Sequence, residues 1–233
     1  MSRADGFGPR VWVADFAAYP EAVLQLMGPM EMVPLGTDDL RLLAGRGGKI
    51  TDDTRAMLAT TLPRFAATGA HMRLGLCSFK TGPGRMLPVF TPDQAITTLR
   101  MRNRRVALIA AQMLAEGREG ALYLRPYQDF PRWTEFRLFI RNRALVGISQ
   151  YHLDRRYPEI MQRADMIRES IAALCKHLMP ALHVETIVAD VAVDPAGQAM
   201  PLLIELNPSV ARTGPGLFSR AGGGNFDGTF RVV

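Results

Sequence analysis

Val188-Ala189-Asp190-Val191-Ala192-Val193-Asp194, followed by Ile204-Glu205-Leu206-Asn207-Pro208, reads as two neighbouring strands that carry acids inside apolar runs. Side chains alternate along a strand, so Asp190 and Asp194 share one face while Val191 and Val193 take the other. Glu205 and Asn207 likewise oppose Ile204 and Leu206. Strands over Val184–Asp194 and Met200–Asn207 are joined by Pro195-Ala196-Gly197-Gln198. A four-residue loop would pair Asp194 with Ala199 and Asp190 with Leu203. Glu205 then becomes the diagonal neighbour of Asp190, about 7–8 Å away. Two carboxylates and an amide on one face suit Mg²⁺, which takes few protein oxygens and keeps water or phosphate in its shell. Acids buried without such a partner are costly. The alternative is an ordinary exposed acidic face. Asp194, beside Pro195, fits a turn residue better than a ligand.

A second cluster lies upstream, in Leu122-Tyr123-Leu124-Arg125-Pro126 and Glu135-Phe136-Arg137. Glu135 and Arg137 share a strand face, and arginine grips phosphate oxygens with two N–H groups. A cross-strand ion pair is the equal alternative. Strands are expected over Ala121–Arg125, Thr134–Arg141 and Ala144–Gln150, the last two flanking an Asn142-Arg143 turn. A helix should follow over about Pro158–Met179. Toward the N-terminus, the pattern gives a brief strand at Val11–Val13 and a short helix over Pro20–Gly28. A helix from Thr51 or Asp52 to about Thr68 should break at Pro63. The strand His71–Leu76 holds Arg73, and the loop Ser78–Gly84 holds Lys80. One helix is expected from Asp93 to Glu116. Gly45-Arg46-Gly47-Gly48-Lys49-Ile50-Thr51 is not a phosphate loop, because Ile50 separates Lys49 from Thr51. Mixed strands and helices with hairpins give an α+β class.

The chain has 233 residues, 48% hydrophobic and 21% charged, which fits an ordinary globular protein. Its two cysteines, Cys77 and Cys175, exclude a disulfide scaffold and suit a reducing compartment. Both read as core residues with no obvious activating base. The four histidines show no paired spacing. The most apolar run, Val106–Ala115, is interrupted by Gln112 and falls short of the roughly 20 residues a membrane span needs. Met1–Gly6 lacks the apolar core of a signal peptide. These features predict a cytoplasmic protein. A net charge of +6 is densest at Arg100, Arg102, Arg104 and Arg105, with Arg141, Arg143, Arg155 and Arg156 elsewhere. Nucleic-acid binding is the sharper reading of that charge, and a solvated face is the plainer one.

Several of these segments resemble the cell division cycle protein 123 family of the ATP-grasp superfamily. They are Leu124-Arg125-Pro126-Tyr127, Glu135-Phe136-Arg137-Leu138-Phe139-Ile140, Gly147-Ile148-Ser149-Gln150, Asp190–Asp194 and Glu205-Leu206-Asn207-Pro208. The similarity runs from about Ala70 to Leu217 and marks a short, divergent member. The resemblance implies an ATP-grasp fold in which two lobes clamp ATP with Mg²⁺, here divided as 1–120 and 121–233. It implies Asp190, Glu205 and Asn207 as metal ligands. Arg137 would face the phosphates with Glu135 beside it, and Leu124, Arg125, Pro126 and Tyr127 would line the adenine side. Arg73 falls where the family has a phosphate-contacting lysine, and Lys80 matches a second basic position. Arg137 and Arg73 would then be the catalytic cations. Departures are Gly75-Leu76-Cys77 for Asn-Trp-Ser, Glu205 for Asp, Ser209-Val210 for Phe-Gly, and Tyr151 for a basic residue. The resemblance further implies either a carboxylate–amine ligase working through an acyl-phosphate, or an ATP-dependent assembly module like the family's eukaryotic members. Substrate or protein partner is not named by these residues.

Overall fold

The computed structural model describes residues 9–79, 87–221 and 224–233. They form two compact units. The first takes in Asp15–Ala17 and Pro29–Gln128, the second Arg10–Ala14, Ala18–Gly28 and Asp129–Val233. The division therefore follows Gln128, past the 120/121 point expected from sequence. The strand Gly120–Pro126 pairs on both sides within the first unit.

The first unit is built on an antiparallel sheet of β1 (Glu31–Leu35), β2 (Ala70–Leu74), β3 (Cys77–Ser78) and β4 (Gly120–Pro126), in the order β1-β4-β2-β3. Sequence reading does not find β1, because Pro34 removes a ladder donor. At a sheet edge that loss is tolerated. In this unit α2 (Thr37–Leu43) packs on α5 (Arg104–Glu116), while α3 (Asp52–Thr61) contacts β1 and α4 (Pro92–Arg100). Leu40, Leu58, Leu99, Ile109, Met72 and Leu122 are among its buried side chains. The single helix expected over Asp93–Glu116 is two helices. Met101 turns extended, and the Asn103 side chain caps α5 by accepting from the N–H groups of Arg105 at 3.1 Å and Val106 at 3.2 Å. Thr51 caps α3 as read from sequence, and Leu62–Phe65 continues as a 3-10 turn around Pro63.

The second unit begins at Arg10, within the 3-10 turn Pro9–Ala14, where a strand was expected at Val11–Val13, and includes α1 (Glu21–Gln25). Pro9 fixes a helical φ there. Its sheet joins β5 (Glu135–Arg141), β6 (Ala144–Gln150), β7 (Ile187–Ala192), β8 (Leu202–Pro208) and β9 (Phe230–Arg231) in the order β8-β7-β5-β6-β9. The β5–β6 hairpin turns at Asn142 (φ 49°) and Arg143 (φ 58°), the two positive φ angles a two-residue turn of this hand requires. The helix expected over Pro158–Met179 is α6 (Pro158–Gln162) and α7 (Ala164–Ala181). The break falls at Arg163, whose guanidinium donates to the Pro195 carbonyl and stands over the Trp133 ring. Tertiary contacts override the local period here.

Asp194 is a turn residue. Its carboxylate accepts from the backbone N–H groups of Ala199, Gln198 and Ala196. Those three bonds, Ala199's first, hold its pKa below the ordinary carboxylate value. A depressed acid stabilises the fold above its unfolded pKa, and the contribution fades as pH falls through the folded value. Asp194→Ala is therefore expected to lose stability modestly at neutral pH. The gap from the native protein should narrow as pH falls below the ordinary carboxylate value of about 3.9. Urea titrations at pH 7 and pH 3 check this, and an equal gap at both would refute the turn role.

Candidate functional site

The second unit's sheet carries one polar row across four strands. Ser149 on β6 lies opposite Arg137 on β5, Arg137 opposite Asp190 on β7, and Asp190 opposite Glu205 on β8. Asn207 follows on β8, opposite Val188. The direct Asp190–Glu205 pairing corrects the diagonal expected from sequence. The β7–β8 connection is longer than four residues, and the register shifts between Asp190 and Val191, so Val191 faces Leu203 and Ile204 is the extra residue. Two acids face to face repel, so the arrangement needs a cation.

Arg137 supplies one. Its Nε and Nη2 each donate to a different Asp190 oxygen at 2.7 Å. Its Nη1 donates to the Gly214 carbonyl at 3.1 Å, and its face lies 5.0 Å from the Tyr151 ring centre. Asn207 Nδ2 bridges the acids, donating to Asp190 at 2.9 Å and Glu205 at 3.1 Å. The Asp190 side chain is only 4% exposed and that of Arg137 15%. Burial pushes the Asp190 carboxyl up; Arg137 opposes the rise and Glu205 adds to it. Burial also works against the Arg137 charge, but its bonds to Asp190 leave the guanidinium pKa raised. Burial, followed by Asp190 and Glu205, takes the Tyr151 hydroxyl up to about 12.

Sequence reading missed what packs on this face. Ser149 is fully buried; its Oγ donates to the Gln150 carbonyl at 2.8 Å and accepts from Leu217 N–H at 3.0 Å. Gly214, Gly216 and Leu217 thus strap across the row. Tyr151, a departure from the family pattern, covers Arg137. Glu135 accepts from His152 Nε2 at 2.9 Å, and the other ring nitrogen of His152 faces Arg132 Nη2 at 3.2 Å. Both ring nitrogens are occupied, so His152 is not placed as a base. No spacing rule in the sequence links these residues.

The remaining expected residues lie in the first unit. Arg73 is 1% exposed, opposite Tyr123 on β4. Its guanidinium stacks 4.0 Å over Phe16 and its Nε donates to the Gly75 carbonyl at 2.9 Å. Asp15 sits against Gly75, and its pKa is raised by burial against bonds from Ala17 and the charge of Arg73. Leu124 and Arg125 are buried within β4, Pro126 ends that strand, and Tyr127 N–H donates to the Gly69 carbonyl. Lys80 lies outside the described residues. Cys77 and Cys175 are buried, and burial takes the Cys175 thiol up to about 11, which fits a core role rather than a nucleophile.

Among the described residues, no group of three or more His, Cys, Asp or Glu side chains is placed to hold a metal ion. Mg²⁺ on the row would rest on two carboxylates and one amide. That donor chemistry fits an ion that keeps water and phosphate ligands. Asn207 now presents its NH₂ to both acids. A cation would need the amide turned to offer its oxygen. Asp190 accepts two bonds from Arg137 and one from Asn207, and it also hydrogen-bonds with Glu205.

Residues 109–221 match the D123 family. That stretch, just under half of the chain, is what the chain has in common with the D123 family. Every member of the polar row, with Asn207 and Gly214, lies inside the D123 stretch; Arg73 and Lys80 precede it. In fold, the chain resembles Cdc123 from Schizosaccharomyces pombe, with TM-score 0.75 and 17% identity over 88% of this chain and 87% of that one. A C-terminally truncated form of the same protein gives 0.74 and 17%, covering 91% and 90%. A RimK domain ATP-grasp protein from Sphaerobacter thermophilus gives 0.42 and 13%, covering 86% and 60%. No curated protein sequence matches. The α+β class expected from the sequence is the class found, and the fold is like that of Cdc123. Among the described residues, no helix is long and apolar enough to cross a membrane.

Proposed function

We propose that this chain is a cytoplasmic ATP-grasp protein that binds ATP with Mg²⁺ through the polar row of its second unit. Asp190, Glu205 and Asn207 hold the cation, and Arg137 turns from Asp190 toward the phosphates. The family resemblance further implies Arg73, Lys80, Leu124, Arg125, Pro126 and Tyr127 as nucleotide-binding residues. The observation that carries this reading is the pair of buried Asp190 and half-buried Glu205, set directly opposite each other at a strand bulge. Arg137 balances the charge of one of the two facing acids, and a bound cation would balance the other.

As a ligase, the protein would bring a substrate carboxylate to the γ-phosphate of ATP, and an amine would then displace phosphate from the acyl-phosphate. Positioning and charge neutralisation supply the catalysis, so no side-chain nucleophile is required. The buried thiols and the fully engaged His152 are consistent with that. The fold likeness to Cdc123 along nearly the whole chain favours a second reading, an assembly module in which bound ATP shapes a protein-binding surface.

Calorimetry with ATP, with and without Mg²⁺, tests the shared core. Binding is expected only with the metal, and Asn207→Ala should weaken it about tenfold. A native protein that ignores ATP would sink both readings. ADP release that requires a carboxylate together with an amine selects the ligase; tight binding without turnover selects the module.

A further inference from the structure

A second group of charges lies on the same unit without counterions. Arg220 Nη2 donates to the Thr213 carbonyl at 3.2 Å, next in chain to the Gly214 carbonyl that Arg137 grips. The two guanidiniums therefore meet adjacent carbonyls of the strap. Arg141 ends β5, its guanidinium 4.2 Å over the Phe226 ring, which packs on Phe139 and Phe218. Stacking occupies the Arg141 face and leaves its N–H edge to donate. Neither Arg141 nor Arg220 makes an ion pair among the described residues. Asp190 is committed to Arg137 and Asp227 to Arg231.

Arg220 Nε is buried and has no hydrogen-bond partner among the described residues. A buried donor left unsatisfied destabilises the fold. Burial, then the charge of Arg141, then that of Arg137, all lower the Arg220 pKa. Stability does not explain such a gathering, since each feature weakens the fold. An oxyanion would satisfy all of them at once.

We propose that Arg141 and Arg220 form an anion subsite beside the polar row, which takes the carboxylate or phosphate group of a small substrate or product. It deepens the ATP reading by giving the substrate a charge, and it rests on that reading only for its role.

The test uses the full chain without ATP or Mg²⁺, with inorganic phosphate and malonate as probes. At least one probe is expected to raise the melting temperature, and the one that acts more strongly names the anion. Arg141→Gln/Arg220→Gln should weaken probe binding at least tenfold, while Mg²⁺–ATP affinity stays within threefold. Arg220→Gln alone, in phosphate-free buffer, should melt no lower than the native protein, because a like-charge repulsion is gone. Arg141→Lys keeps the charge and should retain most of the binding, even if an Arg220 variant folds poorly.

No shift with either probe in the native protein overturns the subsite, as do variants with native probe affinity. Competition between phosphate and ATP, with both affinities lost together, also overturns it by assigning the arginines to the nucleotide. Probe binding that is lost in the variants, in a protein that ignores ATP, would leave the subsite standing while the ATP reading falls.

Discussion

Asp190→Ala is expected to abolish Mg²⁺-dependent ATP binding and to lower stability by about 3–5 kcal/mol. Two causes are separable. The cation loses the one acid that faces both Arg137 and Glu205 in register. Independently, Arg137 is left with a buried charge and two donors without their acceptor. Removing one partner of a buried pair costs far more than removing both. The double variant Arg137→Met/Asp190→Leu should therefore recover most of the stability and none of the ATP binding. Urea unfolding and calorimetry on the single and double variants give the two readouts. If Asp190→Ala binds Mg²⁺–ATP like the native protein, the row is not the cation site. If the double variant is no more stable than the single, the cost does not come from a stranded charge.

The parts of the fold visible in sequence are those with local causes. Asn142-Arg143 marks a hairpin because two successive positive φ angles need permissive residues, and both strands around it stand where expected. Thr51 is a cap that its own hydroxyl makes, accepting from Thr54 N–H at 3.2 Å. Asn103 makes a cap of the same kind, but sequence reading runs one helix through it, across the polar run Arg102-Asn103-Arg104-Arg105. The site was visible in part for the same reason. Alternation alone puts Asp190, Glu205 and Asn207 on one face, whereas the partner of Asp190 depends on a bulge at Ile204 that leaves no mark in composition. Arg73 stands out as a cation in an apolar strand, yet its partner ring, Phe16, is remote in sequence. The strap was not visible at all. Its glycines look like loop residues until Ser149 is found beneath them.

Gly216 gives that strap a sharp test. Its φ is +60°, and a Cβ built there would lie 2.4 Å from Ser149 Oγ and 2.7 Å from Ser149 Cβ. The left-handed conformation costs a side chain about 1–2 kcal/mol. Overpacking adds about 1–3 kcal/mol. Ser149 cannot move aside cheaply, since it is fully buried and bonded to both Gln150 and Leu217. Gly216→Ala should therefore cost about 2–4 kcal/mol. Gly228 separates the two contributions. It has φ +79° with nothing within 4 Å of a built Cβ, so Gly228→Ala should carry the backbone cost alone. The excess at Gly216 is the clash, and relief of that clash means lifting the strap. Lifting it withdraws the Gly214 carbonyl from Arg137 and loosens the guanidinium that must hold its aim beside Asp190. Gly216→Ala is accordingly expected to weaken Mg²⁺–ATP binding about tenfold, a loss Gly228→Ala should not show. Equal destabilisation by the two substitutions would mean that the strap yields freely, and the Ser149–Leu217 bond would then have no part in aiming Arg137.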